Sequence, residues 1–420
     1  MINVSPVNPD DAMKIIEALR PHWPILLGAS LMLSLSMGLR QSLGIFMPLI
    51  TKDISISVAD FTLAIAIQNL SWGILQPFCG ALSSRIGFGK IMFTGAILYI
   101  SGLFLLSQTN GLLGVVIGAG LLIGCSMACN GSAIAMSVAS RSVTPSSRSM
   151  ILGMVSAAGS LGALLAAPLG QLLNQNYGWR VGVLGFLGLA LFMLPSVWMA
   201  RKVDQIPLPE KNLLSLDKNS AREALLKASR YLPFIVMTIA YFVCGMQLVF
   251  ITTHLPSYLD ICGMDPMLSA QSLGLIGGFN VLGSLFFGWA GGKFNKLFLL
   301  GLIYTTRSCI LAWYFIDAPT ANSTLIFASL MGFLWLGVAP LVSGSVADMF
   351  GLKWQAMIQG IAFMSHQLGS FTGAFGGGII YDTLGSYDLA WKAGVALGLS
   401  AGMIQMIVAI KTQIPSLKKT

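Results

Sequence analysis

Two arginines are unusual in this sequence because they lie deep inside long apolar segments. Arg40 and Arg307 are the only two of the 24 Lys and Arg residues at such depth, and no Asp or Glu lies there. A charge at the middle of a bilayer is costly unless it has a function, and a guanidinium offers a planar fork of donors to a carboxylate. The pattern predicts a membrane-embedded site for an anion.

Each arginine also has a structural interpretation. At 1.5 Å per residue, Arg40 lies about 24 Å into the first apolar segment, and Arg307 lies about 15 Å into the ninth. Arg40 could instead extend towards the outer headgroups or bond backbone carbonyls, and Arg307 could join helices through hydrogen bonds. We expect Arg40 to contact substrate, and for Arg307 both roles stay open.

His366 and Gln367 lie at similar depth in the eleventh apolar segment. An imidazole titrates near neutral pH, so His366 is the candidate for proton coupling in a membrane interior that lacks carboxylates. It could equally be a neutral histidine bonded to Ser365, Ser370 or a backbone carbonyl. Gln367 could bond substrate or join two helices.

Further polar side chains occur at mid-depth or near the outer ends of the segments. Each costs free energy in lipid unless it faces protein or water, so each is either a substrate contact or a link between helices. The further candidates for substrate binding are Gln68, Asn69, Asn130 and Asn280. Gln247 and His254, seven residues apart on one face of the seventh segment, could line an outer vestibule or sit at the membrane interface.

Enzyme chemistry is not favoured by the sequence. The three histidines, at 22, 254 and 366, lie on different segments, and no deep acid accompanies them. A nucleophile with its base, or a set of metal ligands, would need such groups close together. Gly292-Lys293 is followed by Phe294, so it does not match a phosphate-binding loop. We predict no catalytic residue, no metal site, no cofactor and no direct drive by ATP.

Membrane-spanning helices must position these residues. The chain of 420 residues is 55% hydrophobic and 9% charged, with a mean hydropathy of +0.79, which soluble domains do not reach. A helix needs about 20 apolar residues to span a bilayer. Twelve such segments are predicted at 24–50, 61–82, 91–107, 112–138, 149–173, 179–200, 232–256, 270–292, 297–316, 322–349, 355–381 and 389–411.

The distribution of basic residues predicts the orientation. With the N-terminus in the cytoplasm, 19 of the 24 Lys and Arg residues fall in cytoplasmic segments, and only Lys52, Arg180 and Lys392 fall in the opposite loops. This bias predicts a multi-pass protein of the cell membrane with both termini inside. The net charge of +9 is spread over short loops, which indicates lipid and not nucleic acid as the partner.

The chain divides into two related halves. A cytoplasmic N-terminal segment at 1–23 precedes a six-helix bundle at 24–200, and a cytoplasmic central loop at 201–230 leads to a second bundle at 231–411 and a cytoplasmic tail at 412–420. At an offset of 207 residues, Met150-Ile-Leu-Gly153 aligns with Met357-Ile-Gln-Gly360. Glycine-rich segments align easily, but these two stretches lie in the fifth and the eleventh span, and each of these is the fifth span of its half. Repeats of six helices are a transporter architecture, with substrate bound between the halves.

One loop resembles a motif of the major facilitator superfamily. Gly80-Ala-Leu-Ser-Ser-Arg85-Ile-Gly87-Phe-Gly-Lys90 is similar to the G-x-L-a-D-R-x-G-R-K loop of that superfamily, with Ser84 at the position of its Asp. The resemblance implies an all-α polytopic membrane protein of twelve transmembrane helices in two pseudo-symmetric six-helix bundles. It also implies a gating loop that includes Gly80, Arg85, Gly87 and Lys90.

Within that superfamily, the chain looks most like the monocarboxylate transporters and their bacterial relatives. Arg148-Ser-Met-Ile-Leu-Gly153 resembles their entry into the fifth helix, and Arg40 lies where they place a substrate-contacting Lys. The chain departs from them in the eighth helix, where Asn280 and Ser284 replace an Asp and an Arg. The carboxylate associated with the coupled proton is therefore missing.

These observations together predict a secondary active transporter of a small organic anion, in particular a monocarboxylate. Alternating access would proceed by proton symport or by anion exchange, because exchange needs no protonatable protein group. The alternative is a major facilitator efflux transporter for another small solute or drug. Export of a cation would favour a buried carboxylate, which the apolar segments lack.

Overall fold

The structure is a computed structural model that describes residues 20–207 and 220–412. All regular structure in these ranges is helical. The twelve long helices are α1 (Trp23–Asp53), α2 (Val58–Ile86), α3 (Phe88–Gln108), α4 (Leu112–Arg141), α5 (Pro145–Tyr177), α6 (Trp179–Gln205), α7 (Leu232–Ile261), α8 (Pro266–Lys293), α9 (Lys296–Tyr314), α10 (Ala321–Phe350), α11 (Gln355–Leu384) and α12 (Asp388–Thr412). The predicted all-helical fold with twelve spans is confirmed.

Several helices extend beyond the apolar segments that predicted them. α2 begins at Val58 because Ser57 and Asp60 form a capping box, in which each side chain bonds the other residue's backbone N–H. Glycines at positive φ end α2 and α5, at Gly87 (φ 97°) and Gly178 (φ 82°). Most of the predicted segment at 1–23, part of the central loop (208–219) and nearly all of the tail at 412–420 lie outside the described residues.

The helices pack as two bundles with the same arrangement. In the first, α1 packs along α5, and in the second the equivalent pair is α7 with α11. Between the bundles, α2 packs on α11 and α5 packs on α8. These two interfaces exchange under a twofold rotation that relates the halves, as the repeat in the sequence predicts.

The two halves are joined at one face of the molecule, the terminal face, where α1 begins and α12 ends. A Cβ atom on Gly153 of α5 would lie 2.7 Å from Gly288 Cα of α8, and one on Gly80 of α2 would lie 2.4 Å from Ala356 of α11. Small residues let membrane helices approach this closely. Near the same face, Gln355 Nε2 donates to Ser140 Oγ at 3.0 Å and Ser84 Oγ donates to Lys353 O at 2.5 Å.

The hydrogen bonds between the described parts of the halves all lie between mid-depth and this face. The pair closest to the opposite face joins Gln367 of α11 to Asn69 of α2. Beyond it, no hydrogen bond connects the described residues of one half to those of the other. The structure is therefore a state closed at the terminal face, and the level of Asn69 is where the closure ends.

Two glycines of α8 provide a matched test of this packing. Gly288→Ala places a methyl group 2.5 Å from Gly153 Cα, whereas Gly278 has no neighbour within 4 Å. We expect Gly288→Ala to lower the free energy of unfolding by about 1–3 kcal/mol through overpacking. Gly278→Ala should leave it unchanged or raise it slightly, because alanine favours the helix. Equal thermal stability of the two purified variants would contradict the close approach of α5 and α8.

Candidate functional site

Arg40 lies on α1 at the level where the closure of the two halves ends. Its Nη2 donates to Asn69 Oδ1 of α2, and its guanidinium lies over the Trp72 ring, 5.0 Å from the ring centroid. The side chain is half-buried, and its Nε has no hydrogen-bond partner within residues 20–207 and 220–412. A guanidinium stays protonated under all conditions a protein meets, so this position carries a permanent positive charge.

Asn69 connects Arg40 to the second half of the molecule. Gln367 Nε2 of α11 lies 3.2 Å from Asn69 O and 3.4 Å from Asn69 Oδ1. The Asn69 Nδ2 group donates to Ile65 O at 3.1 Å, which fixes the orientation of the amide. One amide oxygen therefore accepts from donors of both halves, as a carboxylate oxygen would do.

His366 lies beside Gln367 on α11. Its Nδ1 is 3.4 Å from Gln367 Oε1 and 3.5 Å from Ser370 Oγ. The imidazole packs against the Tyr241 ring, with centroids 4.6 Å apart, and parallel to the Phe363 ring at 5.7 Å. The structure gives its Nε2 no hydrogen-bond partner among the described residues. A chain of contacts thus brings together four of the predicted site residues, Arg40, Asn69, Gln367 and His366.

Aromatic rings form the rest of this cluster, and the sequence alone did not identify them as part of it. Trp72 and Phe363 are in contact across the two halves, with ring centroids 4.5 Å apart. Trp72 Nε1 donates to Gln76 Oε1 at 2.8 Å, which holds the indole flat beneath Arg40. The spacing in the sequence could have identified Trp72, because it follows Asn69 by three residues and therefore lies on the same helical face.

Two of the predicted substrate-binding amides lie inside the first bundle. Gln68 is 1% exposed, and its Nε2 donates to Ala119 O of α4 at 2.6 Å. Asn130 of α4 is fully buried, and its amide is satisfied when it donates to Met92 O of α3 and accepts from Ala96 N. In this state both side chains join helices of one half and neither contacts the Arg40 cluster.

Asn280 and Ser284 lie where α8 meets α5 and α10. α10 is interrupted between Trp335 and Val338, and Asn280 Oδ1 accepts the freed N–H of Leu336 at 2.7 Å. Ser284 Oγ lies 3.2 Å from Ser156 Oγ of α5. The positions at which the resembling transporters carry charges here hold neutral groups that connect helices.

Arg307, Gln247 and His254 lie within the second bundle. Arg307 of α9 is 0% exposed, and its Nη2 donates to Gln247 Oε1 of α7 at 3.2 Å. Both ring nitrogens of His254 are engaged, Nδ1 with Tyr387 Oη at 3.2 Å and Nε2 with Ala374 O at 2.9 Å. These side chains tie α7 to α9, α11 and α12, and the structure does not bring them to Arg40.

The predicted gating loop lies at the terminal face. Arg85 and Lys90 are exposed, and Gly87 takes the positive φ that ends α2. The carboxylate of Asp204, at the end of α6, accepts the N–H groups of Phe88 and Gly89 at 2.8 and 2.9 Å. It thereby binds the N-terminus of α3, where a negative charge is favoured. Asp204 was not apparent from the sequence because it lies more than a hundred residues from the loop.

Among residues 20–207 and 220–412, no cluster of three or more His, Cys, Asp or Glu side chains could hold a metal ion. The ion pairs described there, Arg180–Asp53, Lys296–Asp348 and Lys392–Asp388, lie near helix ends. The candidate site is therefore a cationic, aromatic-lined junction between the two halves.

Comparison with known proteins places this architecture among transporters. The chain is 24% identical over 391 residues to monocarboxylate transporter 13 of Rattus norvegicus, covering 91% of this chain and 88% of the relative. It is 26% identical over 328 residues to the sialic acid transporter NanX of Escherichia coli strain K12, covering 75% and 76% of the two chains.

Two solved structures share the fold. The proton:xylose symporter XylE superposes with a TM-score of 0.69 at 14% identity, covering 93% of this chain and 95% of that one. FucP in its outward conformation superposes with a TM-score of 0.69 at 17% identity, covering 92% and 98%. The family description that matches residues 29–374 is that of the Major Facilitator Superfamily. The chain therefore belongs to the Major Facilitator Superfamily and is a multi-pass membrane transporter, not an enzyme.

Proposed function

We propose that this transporter carries a small monocarboxylate, which binds at Arg40 between the two halves. The proposal rests on one observation. The permanently charged guanidinium of Arg40 lies where the contact between the two halves ends, and it has no carboxylate partner among the described residues. A guanidinium in a low-dielectric site attracts an anion strongly, and its fork geometry suits a carboxylate.

Asn69 occupies the place that a substrate carboxylate would take. Its amide oxygen accepts from Arg40 and lies within 3.4 Å of Gln367 Nε2. A bound carboxylate carries a full negative charge and two acceptor oxygens, so it would replace the neutral amide at Arg40 and reach Gln367 as well. Because Arg40 belongs to the first half and Gln367 to the second, the same anion would contact both.

This geometry supports a link between binding and movement. In alternating access the two halves rock about a site that lies between them. Binding favours one state only to the extent that the ligand interacts better with it. An anion bonded to both Arg40 and Gln367 would favour the state in which α1 and α11 are close. Its release would return Asn69 to Arg40.

The aromatic surroundings restrict the size and polarity of the substrate. The rings of Trp72, Phe363 and Tyr241 surround the polar groups of Arg40, Gln367 and His366. They provide an apolar wall for a short hydrocarbon or hydroxyalkyl chain on the carboxylate. The names of the two relatives above indicate carboxylate substrates for those proteins, and this agrees with a carboxylate here.

The orientation follows from the same bias of basic residues. We infer a cell-membrane protein with both termini in the cytoplasm, so the closed terminal face would be the cytoplasmic one and the structure an outward-facing state.

Arg40→Gln tests the proposed site directly. Removing a charge-assisted contact should weaken carboxylate binding by about 1.5–3 kcal/mol, roughly a 10- to 150-fold higher Kd. The measurement is the shift in melting temperature of the purified protein on titration with short monocarboxylates, since a ligand of the folded state raises it. Arg180→Gln, which removes a half-buried arginine at the start of α6, should bind as the wild type does. Equal binding by Arg40→Gln and the wild type would disprove the role of Arg40.

Asn69 gives a second and sharper test. Asn69→Asp places a carboxylate of the protein itself against Arg40, so added monocarboxylates should bind at least about 10-fold more weakly, as expected when an ion pair must be broken. Asn69→Ala removes the competing amide oxygen and should bind them as tightly as the wild type or more tightly. Titration calorimetry on the two variants measures this contrast. Undiminished binding by Asn69→Asp would contradict the proposed exchange of acceptors.

His366 is the candidate for proton coupling, because its Nε2 has no hydrogen-bond partner among the described residues and its Nδ1 contacts Gln367. We expect an inward proton gradient to accelerate uptake of a monocarboxylate into proteoliposomes by the wild type. His366→Gln should keep exchange of internal for external anion but lose the acceleration. If the acceleration persists in this variant, His366 does not couple the proton, and if the wild type shows none, the transport is exchange.

A further inference from the structure

The second deep arginine presents a problem that the proposed substrate site does not solve. Arg307 is 0% exposed, and its described hydrogen bond to an oxygen acceptor runs from Nη2 to Gln247 Oε1. Its Nε and Nη1 atoms are buried and have no hydrogen-bond partner in the part of the chain that the structure describes. A buried charge that is neither paired nor fully hydrogen-bonded is among the most destabilising features a protein can carry.

The surroundings of Arg307 supply donors and no negative charge. Tyr304, one turn earlier on α9, has its ring centroid 5.5 Å from the guanidinium carbon, and its hydroxyl is also buried without a partner. The Cys244 thiol of α7 lies close to the guanidinium, and a thiol is only a weak acceptor. The amide nitrogen of Gln247 is already bonded to Ser308 Oγ and Gly394 O.

The charge cannot be removed by other means. Arginine does not lose its proton in proteins, and the described ion pairs of the chain lie near helix ends, away from mid-depth. Snorkelling would need a path to the membrane surface, but the side chain has no exposed area and Arg307 begins the fourth turn of α9. Partial compensation comes from the Tyr304 ring, which attracts a cation weakly.

We propose that Arg307 holds a small inorganic anion of halide size as a resident counter-ion inside the second bundle. The ligands would be the free N–H groups of Nε and Nη1, with the Tyr304 hydroxyl as a further donor. An inorganic ion is favoured over the transported carboxylate because Arg307 has no surface accessible from the junction between the halves. The site is separate from Arg40, which lies on α1 of the other bundle.

The role of this ion is structural in the first place. With the anion bound, the guanidinium becomes one member of a neutral pair that joins α9 to α7 through Gln247. The fold of the second bundle should therefore depend on the anion in the medium. This inference does not rest on the monocarboxylate proposal, because it concerns a different arginine and a different ligand.

Bromide is the probe, because it is of halide size and scatters X-rays anomalously. The full-length protein is purified in isethionate, an organic anion much larger than a halide, and bromide replaces isethionate at constant ionic strength. We expect a saturable rise in melting temperature, with the ratio of folded to unfolded protein rising about 100-fold at a bromide concentration 100 times its Kd. Arg180→Gln should keep this rise, and Arg307→Gln should lose it.

Crystals of the wild type grown in bromide supply a second readout, which does not require Arg307→Gln to fold. An anomalous peak within hydrogen-bond distance of Arg307 Nη1 supports the site. The inference is overturned by the absence of both the peak and the bromide-dependent rise. It is also overturned if the rise disappears in Arg40→Gln but persists in Arg307→Gln, because the ion then binds at the junction. Failure of carboxylates to bind at Arg40 would leave these results unaffected.

Discussion

Positive charge without negative charge in the membrane interior is the constraint on which the rest of this structure depends. A guanidinium cannot be neutralised by losing its proton, so the protein must either expose it to an aqueous path or surround it with acceptors. Arg40 represents the first solution. Arg307 has one described oxygen acceptor, Gln247 Oε1, and in our proposal a bound inorganic anion supplies the rest. Arg40 is half-buried at the junction of the halves, where we propose that an external anion binds, whereas Arg307 is enclosed within one bundle.

The packing of the halves explains why Arg40 lies at a useful place. Glycines and serines on α2, α5, α8 and α11 allow backbones to touch from the terminal face up to Asn69. The large rings of Trp72 and Phe363 then meet across the junction, and the guanidinium lies over the first of them. In alternating access, the two halves close one side of the membrane at a time around a site that lies between them. Here the halves are in tight contact on one side, and the charged group of Arg40 lies where that contact ends.

Much of this arrangement could be predicted from the sequence. The twelve spans are predicted by the length of the apolar segments. Arg40 is predicted as a site residue because charged residues are rare deep inside such segments. The sequence could not tell which mid-depth amides face the junction, since that depends on the rotation of each helix. Gln68 and Asn69 are neighbours in the chain, yet the first bonds Ala119 inside its own bundle and the second meets Arg40 and Gln367.

Contacts between distant parts of the chain could not be predicted from the sequence either. Asp204 binds the start of α3, and Leu336 bonds Asn280 only because α10 is interrupted at that point. Neither event leaves a local pattern, because each depends on tertiary packing that brings separate segments together.

The most direct test of the account is counterflow in proteoliposomes. Vesicles loaded with an unlabelled monocarboxylate are placed in the same compound carrying an isotopic label, and uptake of the label is followed with time. At a substrate concentration well below the wild-type Kd, we expect accumulation by the wild type and by Arg180→Gln, and accumulation at least about 10-fold slower by Arg40→Gln. Accumulation by Arg40→Gln at the wild-type rate would contradict the claim that this guanidinium binds the transported anion.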